Sequence, residues 1–394
     1  MNVVFSNPCH PEYGVATIPF PIPKTDYDSC IFHLTALEIG DARRCDCKVE
    51  EITEDSPVFQ RLVGSAVNVD ELDYLLKRMD SFDKRELAQF HAVAISQNIH
   101  EVKDLLNLTF CCQNAPIVQD FTDLQKVGQH CYMVKNGGAM TVEDAQNIDF
   151  KKEALKLLLN ETGKVTQYGV IYDEGFALEQ LYDGRRFPQY RYEDCVMEVE
   201  VSTATDLADN TAPACYCLPM SDLRLERAMQ RDGFANTGEM SLRFYESNLP
   251  VEVDVLLDFE AESLSDLNAM CQAVADFTAE DYAKLGAAAR FTKPVTATDL
   301  QNLAQQLDLF DFIPGIQTPQ EYGKHMIMES GHFEYDENLA SYYNFEKYGT
   351  ERMEQEYGEF NERGYISYHG AVSISELLGG VDCERMDMTM RGMA

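Results

Sequence analysis

The chain has 394 residues, with 67 Asp and Glu against 32 Lys and Arg, a formal net charge of −35. A 45% hydrophobic and 10% aromatic content is enough to build cores and argues against a disordered acidic polymer. A surface so negative disfavours direct contact with nucleic acid or an anionic membrane and favours a cationic partner, or at the least solubility. The N-terminus lacks a basic flank followed by an apolar stretch, and no apolar run approaches the ~20 residues that span a bilayer. The 12 cysteines are irregularly spaced, without a disulfide framework. The expectation is a cytoplasmic, reduced protein.

In chain order, "NVVFS" and "GVATIPF" read as strands, and Tyr27–Ile39 as an amphipathic helix carrying Ile31, Leu34 and Leu37. Val69–Met79 places Leu72, Leu75, Leu76 and Met79 on one stripe. Asp83 and Glu86 have capping-box spacing ahead of "LAQFHAVAI". "EMSLRFYES" (239–247) and "VEVDVLLDF" (251–259) alternate at period two and read as half-buried strands. Thr278 and Asp281 form a weaker box, and Thr296 or Thr298 caps the following helix. Thr318-Pro319-Gln320-Glu321 is a sharp helix start with proline in the first turn. Asp311 to Gly315 reads as a short extended stretch and turn, and "YISY" (365–368) as a strand.

Residues 69–175 lie over 264–370 at a shift of 195 without a gap, with 21 of 107 positions identical against roughly 6% by chance. Such periodicity is read before domains are assigned. Leu72 falls on Leu267, Phe82 on Phe277, Asn107 on Asn302, Gly128 on Gly323, His130 on His325, Phe150 on Phe345 and Gly169 on Gly364. Residues 18–41 resemble 215–236 more loosely. The expected fold class is α+β: a multidomain, elongated chain of two tandem repeats, each with small mixed and helical subdomains. Copy 1 comprises 1–65 (small α/β), 66–133 (helical) and 134–195 (third piece). Copy 2 comprises 196–258 (small α/β), 259–328 (helical) and 329–394 (acidic and aromatic). Residues 1–195 carry 31 acids and 19 bases, and residues 196–394 carry 36 and 13, so the second copy holds most of the charge.

Catalytic signatures are sparse. Cys45/Cys47 and Cys215/Cys217 each supply two thiols where a structural zinc site normally needs four ligands. They read as small apolar residues on strands, and no metal or cofactor is expected. His130 and His325 read as structural histidines near helix ends. There is no phosphate-cradling loop, HExxH or GxSxG. The expectation is a protein that is not an enzyme; an enzyme with a buried acidic site is the remote alternative.

The acid gathers in residues 329–370, where Glu329, Glu334, Asp336, Glu337, Glu346, Glu351, Glu354, Glu356, Glu359 and Glu362 face three bases, Lys347, Arg352 and Arg363. Interleaved aromatics, among them Phe333, Tyr342, Tyr348, Tyr357 and Tyr365, are expected to form a core that holds the carboxylates outward. Spread over a compact globule of this mass, the net charge is one per roughly 450 Å², about fourfold more dilute than the phosphates of B-DNA. Imitation of DNA therefore needs the carboxylates gathered on one ridge, or an elongated shape.

The string "ESGHFEYDENLASYYNFEKYGTERM…EFNERGYIS" resembles the carboxy-terminal pattern of the ArdA antirestriction family, through Asn338-Leu339, Tyr342, Asn344-Phe345-Glu346, Tyr348-Gly349 and Gly364-Tyr365-Ile366. The resemblance is good over roughly 260–370 and weak elsewhere. It implies an elongated, dimer-forming DNA mimic that binds the methyltransferase core of type I restriction-modification enzymes, with Glu334, Asp336, Glu337, Glu346, Glu351, Glu354 and Glu356 standing for phosphates. Ordinary members are about half this length, so the chain reads as a tandem duplication, in which the copies pair within one chain or as a homodimer. The first copy, with Lys151, Lys152, Lys156 and Lys164, has lost acidity. The alternative is an accessory protein of a mobile element that binds another basic or DNA-binding protein.

Overall fold

The computed structural model describes residues 1–209, 211–234, 240–331 and 334–380. Phe333 and the last part of the 329–394 piece lie outside these. Contacts divide the chain into two units. Unit 1 gathers Met1–Tyr192 with Ser221–Ala235, and unit 2 gathers Glu193–Met220 with Asn236–Ala394. Both mix helices with small antiparallel sheets, an α+β architecture. Among the described residues, no helix is long and apolar enough to cross a membrane.

Unit 1 opens with a sheet ordered β2-β1-β3-β4: β1 Asn2–Ser6, β2 Val15–Pro19, β3 Cys47–Ile52 and β4 Ala66–Val67. The helix Tyr27–Thr35 buries Tyr27, Cys30, Ile31 and Leu34, as its apolar spacing requires. The helix Val69–Asp80 buries Leu72, Leu75, Leu76 and Met79, and Asn68 accepts from the Asp70 and Glu71 backbone N–H groups at its start. Asp83 and Glu86 close the expected capping box on Lys84–Ser96. A second sheet, β5-β7-β6, joins β5 Ile117–Val118, β6 Lys164–Thr166 and β7 Gly169–Ile171.

Asp222–Asp232, which by position falls in the second half of the chain, is a helix of unit 1. Ser221 caps it, and Gly233 ends it in the left-handed region at φ 84°. Its Arg227 is buried and donates to Asp70 Oδ2 at 2.8 Å, the Tyr27 hydroxyl at 3.1 Å and the Gly40 carbonyl at 2.6 Å.

Unit 2 contains a sheet ordered β10-β8-β9, from β8 Met197–Thr203, β9 Ala214–Leu218 and β10 Met240–Ser247. A second sheet follows, β11-β13-β12, from β11 Phe310–Pro314, β12 Glu359–Asn361 and β13 Gly364–Tyr368. Thr278 with Asp281 and Thr318 with Glu321 both close capping boxes, the shorter Asp side chain still reaching the Thr278 N–H at 2.9 Å. Thr296, not Thr298, caps Ala297–Gln305.

One strand expectation is overturned. Val251–Asp254, read as the start of a strand, is a short helix. Pro250 sets its entry, Val253 turns inward, Val251 and Val255 stay exposed, and Glu252 is engaged by the Arg363 guanidinium at 2.8 and 2.7 Å. A period-two pattern this short is equally met by one helical turn whose third residue is buried.

Several contacts occur in both units at positions close to 195 apart. Asp73 Oδ1 accepts from the Ile22 N–H at 2.7 Å, and Asn268 Oδ1 from the Met220 N–H at 2.8 Å. Asn107 Nδ2 donates to the Tyr182 carbonyl at 2.9 Å, and Asn302 Nδ2 to the Leu378 carbonyl at 2.7 Å. A Cβ on Gly128 would lie 1.6 Å from the Phe150 carbonyl oxygen, and one on Gly323 would lie 1.9 Å from that of Phe345. Sheets β5-β7-β6 and β11-β13-β12 share one strand order.

Unit 1 carries an acid-sensitive element. His91 is 7% exposed, stacks on Tyr168 at 4.8 Å and meets the edges of Phe59 and Phe90. Burial lowers its pKa from 6.5 to about 4. The unfolded chain therefore takes up this proton first, and stability falls as pH drops from about 6.5 to about 4, by roughly 2–3 kcal/mol for this residue. Denaturant titrations across that range will show a flatter slope for His91→Phe; an unchanged slope would mean His91 is not held neutral.

Candidate partner-binding surface

The acidic segment is built on two crossing helices of unit 2. Pro319–Met328 starts with Thr318 as cap and Pro319 in the first turn, where its missing N–H costs nothing. It buries Tyr322 and Met326 against Ile316 and Tyr365. Phe345–Glu356 crosses it so closely that glycine is required on both sides. A Cβ on Gly349 would lie 1.9 Å from the Pro319 carbonyl oxygen, matching the clash at Gly323. This backbone-to-backbone approach sets the rotation of the second helix about its axis.

At 100° per residue, the rotation that turns Gly349 and Met353 inward turns Glu351 and Glu354 outward, while Glu346 lies at the flank of the packed face in the first turn. All three are exposed, with Lys347 between them. Asn344 caps the helix, and Glu346 in its first turn complements the helix dipole. Tyr357 ends it in the left-handed region at φ 52° and is 85% exposed. Tyr342, on the short 3-10 helix Glu337–Tyr342, is 83% exposed. These two tyrosines therefore stand outside the aromatic core expected from the sequence, whereas Tyr348, Phe360 and Tyr365 belong to it.

The ten acids are not equivalent. Glu356 is turned in. It accepts from the Tyr322 hydroxyl at 2.5 Å and the Tyr365 hydroxyl at 2.8 Å and pairs with Arg352 at 2.7 Å, while the two tyrosine rings stack at 4.0 Å. Burial and this carboxylate push the Tyr322 phenol up to about 12 and raise that of Tyr365 as well. Four other acids are exposed but have local partners. Asp336 accepts from Asn338 at the start of the 3-10 helix. Glu329 meets His325 at 2.9 Å, Glu351 meets Lys347 at 3.7 Å, and Glu362 meets Arg290 at 3.3 Å. Glu334, Glu337, Glu346, Glu354 and Glu359 are exposed and form no ion pair among the described residues.

Glu356 thus serves the fold more than the surface. Glu356→Ala leaves two buried hydroxyls and Arg352 without their acceptor and is expected to destabilise unit 2 by about 1–3 kcal/mol. Glu354→Ala, two residues away and exposed, will change stability by less than about 0.5 kcal/mol. Denaturant midpoints of the two variants check the contrast, and equal midpoints would place Glu356 among the surface acids.

Unit 1 presents the corresponding helix, Phe150–Asn160, with different chemistry. The positions of Glu346, Glu351 and Glu354 are taken by Lys151, Lys156 and Leu159, all exposed, and Leu159 is 79% exposed. The packing face is kept, with Phe150, Ala154 and Leu157 buried. Ala154 stands where unit 2 has Gly349.

Residues 213–367, about 40% of the chain, match the family model described as antirestriction protein (ArdA). The match supports an ArdA-like distal region with an antirestriction-type, restriction-modification-directed role. ArdA proteins are non-enzymatic. No curated protein matches the chain.

Proposed function

We propose that the chain is a cytoplasmic acidic DNA mimic, of the kind carried by mobile genetic elements, that inhibits type I restriction-modification enzymes by occupying the DNA-binding cleft of their methyltransferase core. The observation that carries this reading is the exposed set Glu346, Glu351 and Glu354 on the helix Phe345–Glu356, whose rotation the glycine-to-glycine crossing fixes, inside the region matching the antirestriction family. With Glu334, Asp336, Glu337, Glu359, Glu362 and Glu329 they supply the phosphate-like charge. Glu356 is assigned to positioning Tyr322 and Tyr365 rather than to the partner. A rigid array costs little entropy on binding, and its charge steers a basic cleft toward it.

The chain is further proposed to be a tandem duplication in which the first copy kept the scaffold and gave up the mimic face. The paired contacts of Asp73 and Asn268, Asn107 and Asn302, and Gly128 and Gly323 support common descent. The exchange of three exposed carboxylates for Lys151, Lys156 and Leu159 supports divergence of role. The test is titration of the full chain against a type I methyltransferase core at rising salt, with duplex DNA as competitor. Binding that weakens with salt and excludes DNA is expected; no binding at low salt overturns the reading.

A further inference from the structure

Unit 2 brings together two thiols and a carboxylate that are scattered in sequence. The ligand atoms of Cys195, Glu198 and Cys217 all lie within 4.8 Å of one another, with Cys195 and Glu198 buried. The β8–β9 register sets Glu198 directly opposite Cys217. Cys215, two residues back and therefore on the same face of β9, brings its Sγ to 3.9 Å from Glu198 Oε2. Cys195 lies just before β8, and its position is fixed through the backbone. Asn248 Nδ2 donates to its carbonyl at 2.8 Å, the Val196 N–H donates to the Leu218 carbonyl at 2.7 Å, and the Asn248 N–H donates to the Val196 carbonyl at 2.9 Å.

We propose that Cys195, Glu198 and Cys217 form a binding site for a thiophilic divalent cation of the zinc type, with Cys215 or a water as fourth ligand. Tetrahedral zinc, with bonds of ~2.3 Å to sulfur and ~2.0–2.2 Å to oxygen, separates sulfur from oxygen by about 3.6 Å. The Cys195 Sγ to Glu198 Oε1 distance is 3.9 Å, so small side-chain adjustments complete the geometry. Without a cation, the hydrogen bond with Cys195, together with burial, raises the Cys217 thiol, and burial beside Glu198 raises that of Cys215. On binding, each ligating thiol gives its proton to solvent and the thiolate lone pair goes to the metal. The site ties β8 to β9, so its expected role is to stabilise unit 2. The Cys-x-Cys spacing at 215 and 217 hinted at two ligands, but Cys195 and Glu198 became visible only through strand register.

The test uses the full chain, reduced and stripped with a chelator, titrated with cobalt(II) alone and then with zinc(II). One equivalent of cobalt is expected, with thiolate-to-metal charge-transfer absorption that zinc abolishes, and a thermal midpoint that rises with zinc. Glu198→Gln is expected to keep the absorption but weaken binding at least about tenfold. Cys195→Ser and Cys217→Ser should each lose part of the absorption, and Cys131→Ser, a buried cysteine of unit 1, should change nothing. Absence of the charge-transfer band in the wild-type chain overturns the proposal, as does an unchanged band in the Cys195→Ser/Cys217→Ser double variant. Should a serine variant fail to fold, the wild-type stoichiometry and Glu198→Gln still decide the question.

Discussion

On the proposed function, the triple variant Glu346→Gln, Glu351→Gln, Glu354→Gln is expected to associate with a type I methyltransferase core roughly 10- to 100-fold more slowly than the wild type at low ionic strength. Its affinity will also depend less steeply on salt. Gln matches Glu in size and nearly in helix propensity, so the helix Phe345–Glu356 keeps its shape and loses charge alone. The three side chains are exposed, so their contribution to a partner is mainly long-range steering, which fades once separations exceed the Debye length, ~10 Å at 0.1 M salt. The effect should therefore shrink as salt rises, and it should appear in the association rate more than in dissociation. The matching change in unit 1, Lys151→Gln with Lys156→Gln, removes positive charge and is expected to leave association equal or slightly faster. Stopped-flow association at several salt concentrations measures both variants. A triple variant with wild-type rate and salt slope would remove this helix face from the interface.

Arg227→Met will destabilise unit 1 by about 3–5 kcal/mol, the usual cost of breaking a buried ion pair from one side. The guanidinium and the Asp70 carboxylate are 9% and 5% exposed as side chains and meet at 2.8 Å. Tyr27 donates its hydroxyl to Asp70 Oδ1 at 2.6 Å and accepts from Arg227 Nε at 3.1 Å, so the three groups satisfy one another. Burial and the adjacent Asp70 raise the Tyr27 phenol well above its ordinary range, and it stays a neutral donor. Removing the arginine strands a carboxylate that, among the described residues, Tyr27 alone then serves, and it frees the Gly40 carbonyl as well. The double variant Arg227→Met/Asp70→Leu, with no charge left to desolvate, should recover most of the loss. Urea titrations of the wild type, both single variants and the double variant close the cycle. A double variant as unstable as Arg227→Met alone would show that Arg227 acts through packing rather than through charge.

Local features are legible in the sequence. The boxes at Asp83 and Glu86, Thr278 and Asp281, and Thr318 and Glu321 depend on residues three apart, and they formed. The stripe Leu72, Leu75, Leu76 and Met79 is buried, because helical spacing alone puts those side chains together. The acids of the 329–370 stretch were legible as a group, and most are exposed. Three things were not legible: that Glu356 turns inward to two tyrosines, that Tyr342 and Tyr357 turn outward, and that Val251–Asp254 coils. The inward turn of Glu356 depends on Tyr322 and on Tyr365 of β13, and the coil at Val251–Asp254 meets the distant Arg363 guanidinium through Glu252.

The sequence by itself determined the helix starts, the apolar faces and the concentration of charge in one segment, since each arises among neighbours within a turn or two of chain. Tertiary structure alone decided which carboxylates face solvent, which core receives the helix Asp222–Asp232, and that Cys195 and Glu198 meet Cys217. Those outcomes turn on strand register and on how closely two backbones can approach. Both are settled only when distant segments pack and bury their polar groups together.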